Sequence, residues 1–440
     1  MADPRGVVIA APASGAGKTL ITLGLLHALV ASGKRVASAK VGPDYIDPRF
    51  HEAVTGRASP NLDGWAMRPA LVHALARRAA KGADLFVVEG VMGLFDGAAS
   101  GAGSTADIAA ALSLPVVLVV DAQAQAQSAA AVVKGFASFR EDCRIAAVIF
   151  NRTGSPEHEV ILRRAVAPLG IPVLGAVPRE PGLILPSRHL GLVQAAEQEG
   201  LQALLERAGE SIARGVDLDA LAAIAGPVGG GGREHVAALP PLGQRMAVAR
   251  DAAFAFAYPH LLDAWHEAGA QVIPFSPLAG EAPDPDADAV YLPGGYPELH
   301  AGALSARTRL FAAIRQRAEA GALVYGECGG FMVLGEGLID AEGVRHAMAG
   351  LLPFATSFAE PKLHLGYRGL AHAGALPWPR RLRGHEFHYS RLVAQDNGAA
   401  PLFEVEDSCG RSLGPAGLRL GTVMGSYIHV VDGEGSGDTG

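Results

Sequence analysis

Val7-Val8-Ile9-Ala10-Ala11 runs into Pro12-Ala13-Ser14-Gly15-Ala16-Gly17-Lys18-Thr19, and an apolar stretch with helical spacing follows from Leu20. Five successive apolar residues without polar alternation read as a strand buried on both faces. A turn holding two glycines, placed between such a strand and a helix, aims backbone N–H groups and the helix N-terminus at one point and forms an anion cradle. At its exit Lys18 would reach the β- and γ-phosphates of a nucleoside triphosphate, and the Thr19 hydroxyl would ligate Mg²⁺. The spacing departs from G-x-x-x-x-G-K-[ST], because Pro12 stands at the first glycine position. Gly15 and Gly17 remain, so the turn can still form. A plain helix-capping turn would leave Lys18 without a purpose.

Working outward, apolar runs alternate with helical stretches through the first 180 or so residues. The expected strands are Gly6 to Ala11, Arg35 to Val41, Asp84 to Val88, Pro115 to Asp121, Ile145 to Phe150 and Ile171 to Val177. Helical periodicity fills the intervals, for example Leu20 to Ala31 and Glu157 to Ala167, and a further helix is expected from about Leu192 to Ala213. This order predicts a parallel sheet covered by helices on both faces. Gly226-Pro227-Val228-Gly229-Gly230-Gly231-Gly232 and Leu239-Pro240-Pro241-Leu242-Gly243 then mark a linker. A fresh strand at Met246-Ala247-Val248-Ala249 opens a second α/β pattern. The expectation is therefore an α/β protein of two domains: residues 1–225 with the phosphate loop, a linker at 226–244, a second domain at 245–432, and a disordered tail at 433–440.

Composition narrows the class. Of 440 residues 49% are hydrophobic, and the formal charge is −7. No basic run suggests nucleic acid as a partner. The longest apolar runs, such as Leu114-Pro115-Val116-Val117-Leu118-Val119-Val120, fall short of the roughly 20 residues that a membrane span needs. No signal peptide is seen ahead of the first strand, and three cysteines (Cys143, Cys328, Cys409) make no even framework or C-x-x-C pair, so a reducing cytoplasm is the expected setting. The negative balance also means that a polyacidic substrate would require lysines and arginines gathered locally.

The second chemical motif lies late. Leu323-Val324-Tyr325 leads into Gly326-Glu327-Cys328-Gly329-Gly330, a strand feeding a G-x-C-x-G elbow. Flanking glycines let the backbone turn sharply and present Cys328 as a nucleophile, with the Gly329 N–H as an oxyanion donor. Tyr291-Leu292-Pro293-Gly294-Gly295 ends another strand, and its Gly294-Gly295 pair could supply a second donor. His429, in Ser426-Tyr427-Ile428-His429, is the candidate base. Cys143 and Cys409 have no comparable setting. Carboxylates close the inventory. Glu89 ends the apolar strand Asp84-Leu85-Phe86-Val87-Val88 and suits the Mg²⁺ shell, as does Asp44 in the loop Gly42-Pro43-Asp44-Tyr45-Ile46-Asp47-Pro48. Asp47 and Asp96, the latter in Gly93-Leu94-Phe95-Asp96-Gly97, are placed to face a substrate.

Lys40-Val41-Gly42-Pro43-Asp44-Tyr45-Ile46-Asp47-Pro48 and Glu89-Gly90-Val91-Met92-Gly93-Leu94-Phe95-Asp96-Gly97 resemble signatures of the cobyrinic acid a,c-diamide synthases, corrinoid amidotransferases of vitamin B12 biosynthesis. The resemblance implies a dethiobiotin synthetase-like N-terminal domain, in which ATP phosphorylates a substrate carboxylate, and a class I glutamine amidotransferase-like C-terminal domain. It further implies that Asn151 recognises the adenine edge and that His429 is the glutaminase base. Leu185-Pro186-Ser187-Arg188-His189-Leu190-Gly191 and Gly384-His385-Glu386-Phe387-His388-Tyr389-Ser390 also resemble the family, and Glu386 or His388 is a candidate to touch the active centre. Most class I domains carry a glutamate two residues past the histidine; here that residue is Val431, a departure this family shares.

On this reading MgATP, held by Ser14, Gly15, Ala16, Gly17, Lys18 and Thr19, activates the a and c side-chain carboxylates of a corrin ring, cobyrinic or hydrogenobyrinic acid. Cys328 supplies ammonia from glutamine, which a sheltered route would carry to the acyl phosphate. Lys40, Tyr45, Arg49 and Arg188 are candidates to grip the polyacidic ring. A cobyric acid synthase and a sirohydrochlorin-type diamide synthase stay open as alternatives. A MinD- or ParA-like ATPase switch is more remote, because it has no use for Cys328. A homodimer is an open possibility.

Overall fold

The computed structural model describes residues 4–183, 200–229, 236, 238–395 and 398–434. They form two compact units, one reaching to Val236 and the other from Ala237 onward, with Ala66–Arg68 counted in the second.

In the first unit, strands β1 (Arg5–Ala10), β2 (Val36–Val41), β3 (Asn61–Leu62), β4 (Leu85–Glu89), β5 (Val116–Asp121), β6 (Ile145–Thr153) and β7 (Val173–Pro178) form a parallel sheet in the order β3-β2-β4-β1-β5-β6-β7. β1 sits between β4 and β5, with Val8 opposite both Val88 and Val116. Its Val7, Val8 and Ile9 are fully buried, as a strand covered on both faces requires. The helix Lys18–Ala31 packs under the helix Leu201–Gly215, so closely that a Cβ on Gly24 would stand 2.8 Å from Ala208 O. Strand β8 (Gly226–Pro227) pairs antiparallel with the start of β1, so the Gly/Pro-rich stretch begins as part of this sheet. The motif Leu185 to Gly191, with its Arg188, lies outside the described residues, as do much of that stretch and nearly all of the tail.

The second unit begins with β9 (Arg245–Ala249), β10 (Gln271–Phe275), β11 (Ala289–Leu292) and β12 (Leu323–Glu327). A small four-stranded sheet contains β13 (Gly337–Ile339), β14 (Arg345–Ala347), β15 (Phe354–Ser357) and, past two strands of the main sheet, β18 (Arg391–Gln395). The main sheet adds β16 (His364–Ala371), β17 (Arg381–His388), β19 (Ala400–Asp407), β20 (Ser412–Leu420), β21 (Val423–Ser426) and β22 (Ile428–Gly433). Its order is β10-β9-β11-β12-β21-β20-β19-β16-β17-β22. The half from β10 to β21 is parallel, and every pairing beyond is antiparallel. The sequence pattern had suggested a continued α/β alternation; the antiparallel half arises because tight turns, not crossover helices, join most of its strands.

The bend after β12 is enforced by glycine. Cys328 has φ 47° and ψ −107°, and the helix Gly329–Leu334 starts at once. A Cβ on Gly330 would run into Leu292 O, and one on Gly326 would stand 2.8 Å from Gly330 C. Replacing Gly330 by Ala should therefore destabilise the second unit by about 1–3 kcal/mol through overpacking. Thermal unfolding followed by near-ultraviolet circular dichroism would check it, and an unchanged midpoint would show that β11 can yield.

Candidate active sites

The first site stands at the carboxyl ends of β1, β2 and β4, where open parallel sheets gather ligand-binding groups. Gly15 and Gly17 hold φ 83° and 86°, left-handed values that favour glycine, and Gly17 caps the helix carrying Lys18. The Lys18 ammonium donates to Met92 O at 2.8 Å, which ties the phosphate turn to the loop after β4. Burial, then repulsion from Lys40, pushes the Lys18 pKa down to about 8.

Behind Lys18 lies a buried cluster of charge. Thr19 Oγ1 donates to Glu89 Oε1 at 2.6 Å and lies 3.3 Å from Asp47 Oδ2. Lys40 Nζ bridges the same carboxylates, 2.5 Å from Asp47 and 2.8 Å from Glu89. The other Glu89 oxygen meets His51 Nε2 at 2.7 Å, and His51 Nδ1 meets Ser59 Oγ at 3.2 Å. Burial alone would raise the Glu89 pKa, but Lys40 and His51 outweigh it and hold the carboxyl well below its usual range. Burial likewise works against charge on Lys40, and Asp47 and Glu89 overcome it. Three oxygen-bearing side chains, Thr19, Asp47 and Glu89, thus converge as a hard cation would require.

The structure places the expected residues as follows. Asp44, expected at the metal, spends Oδ1 on the N–H groups of Ile46 and Asp47, and so shapes its own loop. Asp47, expected at the substrate, is the acid beside Thr19. Lys40, expected on the ring, is locked between Asp47 and Glu89. Arg49 pairs with Glu52 on an exposed helix face, and Asp96 accepts from Gly93 N within its own loop. Tyr45 is partly buried in the loop after β2. Asn151, expected at the adenine, donates through Nδ2 to Ala16 O at 2.9 Å and accepts from Arg152 N at the same distance, which braces the phosphate turn. His51 escaped the sequence reading; a lone histidine inside a helix gives no sign that a carboxylate faces it.

The second site is built at the ends of β11, β12 and β21. Cys328 N donates to Ser426 O at 2.8 Å, and Cys328 Sγ lies 3.7 Å from Phe387 O. Gly329 and Gly295 abut: a Cβ on Gly329 would be 3.0 Å from Gly295 N. Gly294 presses on the His429 ring, since a Cβ there would run into its Cε1. The elbow, both glycines and the candidate base are thereby brought together. Burial raises the Cys328 thiol far above its ordinary pKa and holds His429 well below its own, so the pair rests as thiol and neutral imidazole.

Glu386 and His388 lie within electrostatic reach of the second site, Glu386 helping to raise the Cys328 pKa and His388 to lower that of His429. Glu386 pairs with Arg368 at 2.8 Å and with His388 at 2.8 Å, and His388 stacks on Tyr427, with centroids 3.7 Å apart. The residue of that motif opposite His429 is His385. Glu327, also passed over in the sequence, is buried beside the nucleophile. It accepts from Tyr291, Tyr325 and Val430 N at 2.9, 3.1 and 3.2 Å, and burial pushes its pKa up to about 7.

Both halves match known domains. Residues 7–193 match the CobQ/CobB/MinD/ParA nucleotide binding domain, and residues 245–435 match the CobB/CobQ-like glutamine amidotransferase domain. A nucleotide-binding unit joined to a glutaminase unit defines a glutamine-dependent, amide-forming ligase. The chain is 57% identical to the hydrogenobyrinate a,c-diamide synthase of Brucella suis over 433 residues, covering 98% of this chain and 99% of that one. It is 54% identical to the Rhodobacter capsulatus enzyme of the same name, again over 98% and 99%. With the Rhizobium meliloti enzyme it shares 53% identity over 97% and 99%. The chain belongs to the hydrogenobyrinate a,c-diamide synthase family of corrinoid amidotransferases, which bears out the resemblance read from its sequence and sets the ATPase switch aside.

The buried cluster makes a direct prediction. Lys40→Met leaves Asp47 and Glu89 facing each other without their cation and should cost about 3–5 kcal/mol. Urea unfolding would measure it, and a loss below about 1 kcal/mol would mean that the carboxylates shed their charge at little cost.

Proposed function

We propose that the protein amidates the a and c side-chain carboxylates of hydrogenobyrinic acid, with ATP as activator and glutamine as nitrogen donor. The observation that carries this reading is the near-complete, greater than 50% identity to relatives named for that reaction. The cobalt-containing ring, cobyrinic acid, and other amidations of the same chemistry are the alternatives that the experiment below separates.

In the proposed mechanism the backbone N–H groups from Ser14 to Thr19 cradle the phosphates and Lys18 neutralises charge on the γ-phosphate. Thr19, Asp47 and Glu89 would hold Mg²⁺, which when bound draws electron density from the β- and γ-phosphates. A ring carboxylate oxygen attacks the γ-phosphorus and ADP departs, leaving an acyl phosphate. At the second site His429 takes the Cys328 proton, and sulfur attacks the amide carbon of glutamine. The oxyanion forms against the Gly329 and Gly295 N–H groups. Ammonia leaves with that proton, and water then cleaves the glutamyl thioester. Ammonia displaces phosphate from the acyl phosphate and leaves a primary amide. Arginines and lysines in the loops around the first site are the natural anchors for the remaining carboxylates.

Mass spectrometry after incubation with MgATP, glutamine and either hydrogenobyrinic or cobyrinic acid tests the reading. Each carboxyl converted to amide lowers the mass by about one unit, and the series should stop at two on the metal-free ring. A stop at any other number, or no change on either ring, would refute it. Cys328→Ala should abolish the glutamine-dependent reaction and keep the ammonium-dependent one. Lys18→Ala should abolish both, by roughly 10²-fold or more.

A further inference from the structure

The geometry points to His385 as a positioning residue for the base: its ring fixes the plane of the His429 imidazole. The inference deepens the glutaminase reading above and rests on it. His385 on β17 stands directly opposite His429 on β22 in the antiparallel ladder, and the two rings lie 4.8 Å apart and within 4° of parallel. Both side chains are buried, at 5% and 1% exposure. The strands can close to this distance because of Gly384, where a Cβ would run into His429 O. Tyr258 packs edge-on behind His385, with centroids 6.0 Å apart. Ahead of His429 stands Gly294, against Cε1.

An imidazole on a strand is free to rotate about its Cβ–Cγ bond, and that rotation carries its nitrogens toward or away from a thiol. A base serves only when its nitrogen points at the proton it takes. The parallel His385 ring over its face and Gly294 at its Cε1 edge restrict that rotation before glutamine arrives. Burial keeps His385 neutral, with its pKa pushed down to about 3, so it offers an aromatic face to His429. A cross-strand partner of this kind needs a flat aromatic ring and no charge of its own.

The test compares His385→Ala, His385→Gln and His385→Phe in the full-length enzyme. The Ala and Gln variants should lose roughly 10- to 100-fold in kcat for glutamine hydrolysis, with KM for glutamine within about twofold of the parent. The Phe variant should recover most of that loss. Ammonium-dependent amidation should persist in all three, which excludes global misfolding as the cause. A parental kcat in the Ala or Gln variant would overturn the inference, and so would a Phe variant as impaired as the others. If Ala does not fold, the Gln and Phe pair decides alone. The underlying reading fails separately, if Cys328→Ala still hydrolyses glutamine.

Discussion

Both sites depend on one constraint: a buried parallel strand must turn at its carboxyl end, leaving backbone N–H groups that no sheet can pair. After β1 the chain answers with Gly15 and Gly17 in left-handed conformations, and the unpaired donors become a cradle for phosphate. After β12 it answers with Cys328 at φ 47°, which lifts the residue out of the strand just before the helix Gly329–Leu334 begins. In the first turn a Cβ on Gly17 would run into Asn151 Nδ2, and in the second a Cβ on Gly330 would run into Leu292 O. The chemistry of the chain is in this sense the chemistry of two interrupted hydrogen-bond ladders.

The surroundings of the two turns are opposite in electrical character. Around Thr19 the fold gathers two carboxylates, a lysine and a histidine joined by ion pairs and hydrogen bonds. Removing Lys40 would leave Glu89 without its main counter-charge in a low-dielectric interior. Around Cys328 burial instead drives groups to neutrality: the thiol keeps its proton, and His429 and His385 refuse theirs. One site thus stores fixed charge to meet a charged ligand. The other creates charge only when the sulfur reacts.

How much of this was legible in the sequence follows from the range of the forces involved. The strands of the first sheet and both turns were readable, because apolar runs and glycines at fixed offsets are local signals. β1, β2, β5 and β6 begin within a residue or so of their expected starts. The antiparallel half of the second sheet was not readable, since its register is set by pairings between strands far apart in sequence. The same limit explains the reassigned side chains. Asp44 and Asp47 occupy one loop three residues apart, and only the fold decides which turns inward. His385, Glu386 and His388 share a motif, and strand alternation together with the β17–β22 register selects His385.

The pairing of β8 with β1 has a consequence for how the protein is made. β1 is made more than 200 residues before β8, yet Val228 N reaches back to Pro4 O, and Gly226 lies beside Gly6. The helix behind the phosphate turn likewise waits for the helix Leu201–Gly215 to cover its apolar face, where Ile212 joins the core formed by Val7 and Ile9. That helix is met through Leu20, Gly24 and His27, so this face of the phosphate-turn helix stays uncovered until the chain past Leu201 has been made. The central strand of the first sheet is therefore among the last to acquire all of its partners.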